Sequence, residues 1–170
     1  NPLVVLILST LEILISNWSY ESVFKYVKSG LIKLDREFID KLENHILLNG
    51  IKGYKWTGEL LKGIEEPSKE EIEIAEIMEE IRRPIINLYK KVGNENTVKE
   101  YCTAIYEMLV EINALETIAE WLDEFEKIGL QDKIKEYSQV PQIVMDILDQ
   151  AVEVLGDEVT DIKTFARILS

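Results

Sequence analysis

Apolar residues recur along this chain at spacings of three and four, and glycine, proline or a capping residue interrupts each run. That is the period of a helix buried on one face, and no stretch alternates in the two-residue rhythm of a strand. The first run departs from the one-faced pattern. Leu3-Val4-Val5-Leu6-Ile7-Leu8 is apolar on every side. A helix over about 2–16, with Asn1 as its cap and Pro2 in its first turn, must therefore be central or form an interface. Ser19 and Asp35 are placed to cap two further helices, which stop at Gly30 and at Asn49-Gly50. Gly50, Gly53, Gly58 and Gly63 then fall within fourteen residues and predict an irregular connection over 50–67.

Ser68-Lys69-Glu70-Glu71 is a capping box that opens a helix carrying Ile72, Ile74, Ile77, Met78 and Ile81. Pro84 has no N–H and crowds the preceding turn, so it predicts a kink or break before the pattern resumes at Ile85 and stops at Gly93. Thr97 starts a helix with Val98, Tyr101, Cys102, Ile105, Met108 and Leu109 on one side. Another covers about 115–128, a long helical stretch runs from about 131 to 155 through Pro141, and Thr160 caps the last. The chain is predicted to be all-α: an irregular bundle of about seven or eight helices over 1–170, with possible lobes at 1–63 and 68–170. The apolar start, and a stop that leaves Phe165, Ile168 and Leu169 unshielded, make both ends read as cut from a larger protein. On that reading helix 2–16 is expected to be partly open, or covered only by self-association.

Charge changes the picture. The net charge is −13, which argues against a free-standing nucleic-acid binder, since such proteins present a basic surface to phosphate. The imbalance is local. Residues 1–64 carry eight Lys/Arg against seven Asp/Glu, a net of +1, and the rest carries −14. Eight glutamates and one lysine between Glu65 and Glu80 read as a solvated face. The run Leu3–Leu8 is too short to span a bilayer and is followed by Ser9, Thr10 and Glu12. With no secretory leader pattern either, the chain reads as cytoplasmic.

Little of the sequence looks catalytic. One cysteine, Cys102, leaves no internal disulfide and no cysteine-built cluster, and its core spacing makes it a small hydrophobe. The one histidine, His45, reads as structural. No Gly-x-x-x-x-Gly-Lys-Ser/Thr loop is present to cradle a nucleotide, so no cofactor is expected within these residues. Asp146, Asp149 and Glu153 share adjoining helical turns, a spacing open to a divalent ion but usual for a solvated face. The one basic-aromatic stretch is Lys52-Gly53-Tyr54-Lys55-Trp56, with Lys62 beyond. It reads in two ways: as a DNA-backbone contact through Lys52, Lys55, Trp56 and Lys62, with Tyr54 or Trp56 stacking on a base, or as a loop pinned to the core by its aromatics.

Several strings resemble one family. They are Asn1-Pro2-Leu3, Trp18-Ser19-Tyr20-Glu21-Ser22-Val23-Phe24, Lys28-Ser29-Gly30-Leu31, Leu42-Glu43-Asn44 and Gly50-Ile51-Lys52-Gly53 with Trp56-Thr57. Further on come Glu100-Tyr101-Cys102-Thr103-Ala104, Glu136-Tyr137-Ser138-Gln139-Val140, the stretch from Ile143 to Gln150, and Val154-Leu155-Gly156-Asp157-Glu158. Together they resemble the AddB subunit of the AddAB-type ATP-dependent helicase–nuclease, along nearly the whole chain. The resemblance implies a non-catalytic helical region of a larger subunit that acts in double-strand break repair and recombination. It also implies the AddA subunit, the other domains of the parent chain and double-strand DNA ends as partners. ATP, magnesium and an iron–sulfur cluster would be bound by parts of the parent outside these residues. The competing reading is an independent all-α adaptor that takes partner proteins in an apolar groove.

Overall fold

The computed structural model describes residues 1–170. Asn1 caps α1 (Pro2–Ile15), its side chain accepting from the Leu3 and Val4 amides. The helix buries Leu3, Leu6, Ile7, Leu11 and Ile13, together with Ser9 and Thr10. Burying those two hydroxyls costs little, because both donate to the Leu6 carbonyl within the helix, at 3.0 and 2.8 Å. Ser19 caps α2 (Tyr20–Val27), and α3 (Arg36–Asn49) ends at Gly50, which takes the left-handed conformation at φ 57°. Tyr20 and Lys28 both donate to Glu43, at 3.0 and 2.8 Å, and so tie α2 to α3. A single turn, α4 (Tyr54–Thr57), interrupts the connection to α5 (Lys69–Val92).

α5 runs unbroken through Pro84, where the sequence predicts a kink or break. An interior proline costs roughly 3 kcal/mol. Ile74, Met78, Ile81, Ile85, Leu88 and Val92 are buried along the same helix, at about 1.5–3 kcal/mol each, and Pro84 itself is buried among them. Burial on both sides of one lost hydrogen bond keeps the helix whole.

The second half holds α6 (Val98–Glu111), α7 (Ala114–Lys127), α8 (Gln131–Ser138), α9 (Val140–Leu155) and α10 (Ile162–Leu169). The stretch 131–155 divides at Gln139, and Pro141 sits in the first turn of α9, where its missing N–H removes no helical bond. That division and the single turn α4 raise the total to ten helical segments, above the predicted seven or eight. Two three-residue strands, β1 (Glu95–Thr97) and β2 (Val159–Asp161), pair antiparallel with Asn96 opposite Thr160. They were not legible as strands, since three residues cannot show an alternation. Each leads straight into a helix: Thr97 caps α6 and Asp161 caps α10. Just beyond the ladder Tyr101 and Phe165 stack, with ring centroids 4.7 Å apart.

α1 is the element the others surround. It packs against α2, α5, α9 and α10, so the first helix of the chain lies against the last. Leu3 and Leu6 are fully buried and Ile7 nearly so, so the partial exposure expected of this helix does not extend to them. Val5, 44% exposed, and the half-buried Val4, Leu8, Leu14 and Ile15 remain at the surface. One apolar cluster of 34 buried residues runs from α1 to α10. The two halves also meet where Gly30, at φ 88°, lets the backbone approach Trp121: a Cβ there would lie 3.2 Å from the indole ring. Lys33 and Glu120 pair beside it at 3.1 Å.

Leu6→Ala should therefore cost about 2–5 kcal/mol of unfolding free energy, the range for cavities left by a deleted core leucine. Denaturant unfolding followed by circular dichroism measures it. A loss below about 1 kcal/mol would show that the site around α1 collapses freely and is not tightly packed.

Candidate functional site

A cleft of about 690 Å³ lies between the end of α3, the 50–67 connection and the start of α5. Its floor is apolar, built from Ile51, Leu60, Leu61, Ile74 and Met78. Polar side chains stand at its edges: His45, Asn49, Lys55, Lys62, Glu59 and Glu71. The glycines of this connection set its course. Gly50, Gly53 and Gly63 all take positive φ, and Gly53 passes close to Asn17, so the chain turns back on itself within a few residues.

Two anchors hold the wall at 54–58. Trp56 is fully buried and stacks on Trp18, with ring centroids 5.5 Å apart at 19°. Arg82, reaching across from α5, donates through one Nη1 to the carbonyls of Trp56 at 2.8 Å and Gly58 at 2.6 Å. Glu79 holds the same guanidinium at 2.7 Å. Sequence pattern singled out the aromatics of this turn but not Arg82. Its only local signal was the i, i+3 spacing to Glu79, which any solvated helix face can show.

The basic-aromatic residues are therefore divided. Trp56 belongs to the core and cannot stack on a base, which corrects its place among the DNA-contact candidates. The reason is energetic, since withdrawing the fully buried indole would undo its stack on Trp18 and leave a void in the core. Tyr54 takes the opposite role, at 77% exposed. Lys52, Lys55 and Lys62 all reach solvent, and none of them forms an ion pair. Lys55 also donates to the Asn49 carbonyl at 3.2 Å, a cation set against the C-terminal end of α3.

On the opposite wall the Ser68 capping box forms as predicted. The Ser68 amide donates to Glu71 at 3.0 Å, and the Glu71 amide donates to the Ser68 hydroxyl at 3.1 Å. These bonds from Ser68, backbone first, hold the Glu71 carboxyl below its ordinary range, and the nearby His45 adds a smaller push the same way. His45 itself lines the cleft, with its Nδ1 3.3 Å from the Asn49 amide nitrogen. The cleft thus offers an apolar floor, exposed cations on one rim and an ionised carboxylate on the other. That suits binding; no nucleophile and base meet in it.

The remaining candidates lie elsewhere. Cys102 is buried in α6, and burial, followed by the charge of Asp149, pushes its thiol up to about 11. Asp146, Asp149 and Glu153 are set along α9, where Asp146 accepts from Gln142 at 2.8 Å. No three His, Cys, Asp or Glu side chains converge in a way that would hold a metal ion. No helix is long and apolar enough to cross a membrane.

No family model matches the chain. Among curated proteins it is 42% identical to the B subunit of the ATP-dependent helicase/deoxyribonuclease of Clostridium botulinum strain Loch Maree. It is 43% identical to the protein of that name from Clostridioides difficile strain 630, and 41% to that of Caldanaerobacter subterraneus subsp. tengcongensis. These alignments take in 99–100% of this chain and 16% of each relative, so the chain spans about a sixth of their length. The resemblance seen in the short strings thus extends over every element described above.

Replacing Arg82 by alanine removes the only side-chain donor to the Trp56 and Gly58 carbonyls. A loss of about 2 kcal/mol is expected, the scale for a partly buried hydrogen bond to a charged group. Hydrogen exchange should quicken at the Trp56 and Gly58 amides and leave α6 and α9 unchanged. Unaltered exchange at 54–58 would mean that the Trp18–Trp56 stack holds the wall by itself.

Proposed function

We propose that this chain, related over its whole length to one segment of helicase/deoxyribonuclease B subunits, is a non-catalytic helical region of such a subunit. The subunit would work with a partner subunit of the AddA kind on double-strand DNA ends, in break repair and recombination. The observation that carries this reading is identity of 41–43% sustained over 99–100% of the chain. The architecture is consistent with it. A fold of packed helices around α1, with an arginine-braced loop and no converging catalytic groups, is suited to holding surfaces in place. ATP hydrolysis and strand cleavage, with any magnesium or iron–sulfur cluster they use, would be the work of other parts of the subunit.

Within this region the DNA-facing candidates are Lys55 and Lys62, which line the cleft beside the exposed Tyr54, and the exposed Lys52 of the same connection. They are free of ion pairs and lie in the one third of the chain that is not acidic. By itself the region would bind DNA weakly, because its remaining residues repel phosphate. The apolar floor of the same cleft favours a second reading, an adaptor surface for a partner protein.

A Lys52→Ala, Lys55→Ala, Lys62→Ala triple variant of the full-length subunit, assembled with its partner and titrated with duplex DNA ends, separates the two readings. If all three lysines meet phosphate, the slope of log affinity against log salt should flatten by about 2–3 units. Unchanged affinity and slope would take DNA away from this rim. Weakened subunit assembly with an unchanged slope would favour the adaptor surface.

A further inference from the structure

The side of α5 turned away from the cleft carries a second groove, of opposite charge. Two hollows share Lys33, Leu34 and Glu80 and so run into one another between the 31–35 connection and α5. The outer one, of about 270 Å³, is lined by Glu73, Glu76 and Ile77, with Asp35 and Phe38 opposite. The inner one, of about 410 Å³, passes Ile81 and Pro84 and reaches Glu111 and Asn113 at the junction of α6 and α7. None of Asp35, Glu73, Glu76, Glu80 or Glu111 forms an ion pair. The two cations of the groove are engaged with carboxylates outside it: Lys33 with Glu120 at 3.1 Å, and Arg83 with Glu79 at 3.6 Å.

An acidic helix face by itself is usually no more than solvated. Tyr26 sets this one apart. It lines the inner hollow and is fully buried, and its hydroxyl has no hydrogen-bond partner. Burial, followed by the charge of Glu111 in the same hollow, pushes the phenol above its ordinary range, so it stays protonated. A buried polar group left unpaired costs about 1–3 kcal/mol, which a ligand that pairs with it recovers.

We propose that this groove seats a basic segment of the partner subunit, one of whose lysine or arginine side chains enters the inner hollow lined by Glu80, Glu111 and Tyr26. The inference rests on reading the chain as part of a B-type subunit that assembles with a partner. The chemistry of the groove selects the occupant. Five unpaired carboxylates repel phosphate, so DNA is not its ligand. A cation on an apolar stem meets both requirements, its stem lying along Leu34, Ile77 and Pro84 while its head pairs with the carboxylates. Its N–H groups also supply a donor for the phenol oxygen. A surface covered by its own chain gains little from carboxylates that must be desolvated, whereas between separately folded chains they steer the encounter and fix the register.

Assembly of the full-length subunit encoded by its gene with its partner subunit, titrated at several salt concentrations, tests this. The variants are Glu73→Lys, Glu76→Lys, Glu80→Lys combined, the same three residues changed to Gln, and Tyr26→Phe. Glu116→Lys, Glu124→Lys, Glu126→Lys on α7 is the control, since these glutamates lie outside the groove and form no ion pair. Circular dichroism confirms that each variant is folded. Charge reversal should weaken assembly at least about tenfold at low salt and flatten its salt dependence, with the Gln variant between it and the unaltered protein. Tyr26→Phe should weaken assembly by roughly two- to tenfold, the worth of one hydrogen bond, without lowering the unfolding temperature of the free subunit. The α7 control should stay within about twofold, as surface charges away from an interface do.

Unchanged affinity on charge reversal or in Tyr26→Phe would overturn the docking groove, and so would an equal loss in the α7 control. Charge reversal that lowers the unfolding temperature of the full-length subunit but not that of the 170-residue chain would assign the groove to adjoining chain and overturn it too. Each of these results leaves the subunit reading intact. Failure of the unaltered subunit to assemble with any partner of the AddA kind would remove the groove and the subunit reading together.

Discussion

A helix that is apolar on nearly every side can exist in water only if other elements enclose it, and α1 imposes that condition on the rest of the chain. Its buried leucines and isoleucines demand partners on several sides, which α2, α5, α9 and α10 supply. Two of those partners come from the far end of the sequence. Enclosure of α1 therefore sets the topology: the chain must travel out through α3 and α5 and return through α9 and α10 to close over its own beginning. Its two polar residues that face inward are satisfied within the helix, so no water or partner side chain has to reach the centre.

The smaller features serve that return. The β1–β2 ladder joins the entry of α6 to the entry of α10 and aims both helices. Stacking of Tyr101 on Phe165 fixes their separation. On the other side Gly30, at φ 88°, lets the α2–α3 connection lie against Trp121, where a Cβ would press on the indole ring. The cleft wall at 54–58 stands somewhat apart from this scheme, since it is held to the body by Trp56 and by Arg82. A wall fixed at two points, with exposed lysines on its outer edge, can present charge without disturbing the core.

Caps and hydrophobic period make most helices legible in the sequence. Asn1, Ser19, Ser68 and Thr97 all cap where local chemistry places them, because a cap is a bond within one turn and needs no tertiary knowledge. The break expected at Pro84 is absent for the complementary reason. Its cost is local and visible, whereas the burial that outweighs it depends on helices distant in sequence. How far the partial exposure expected of α1 reaches was not legible either, since the return of α9 and α10, which buries Leu3, Leu6 and Ile7, cannot be read from residues 2–16. In the cleft, the lysines and the capping box were readable, and the second reading of the 50–62 turn, a loop pinned to the core by its aromatics, holds for Trp56. Arg82 was not readable, because the carbonyls that recruit it lie 24 and 26 residues away.

Native-state hydrogen exchange of the 170-residue chain in low denaturant tests most directly whether α1 makes these residues one cooperative unit. Amides of α1, α5, α6 and α10 should converge on a single opening free energy as denaturant rises, because α10 cannot leave without uncovering α1. Separate convergence of residues 1–63 at a lower free energy, with α6 and α10 still protected, would contradict it. The chain would then consist of two lobes in contact and not of one core closed over its first helix.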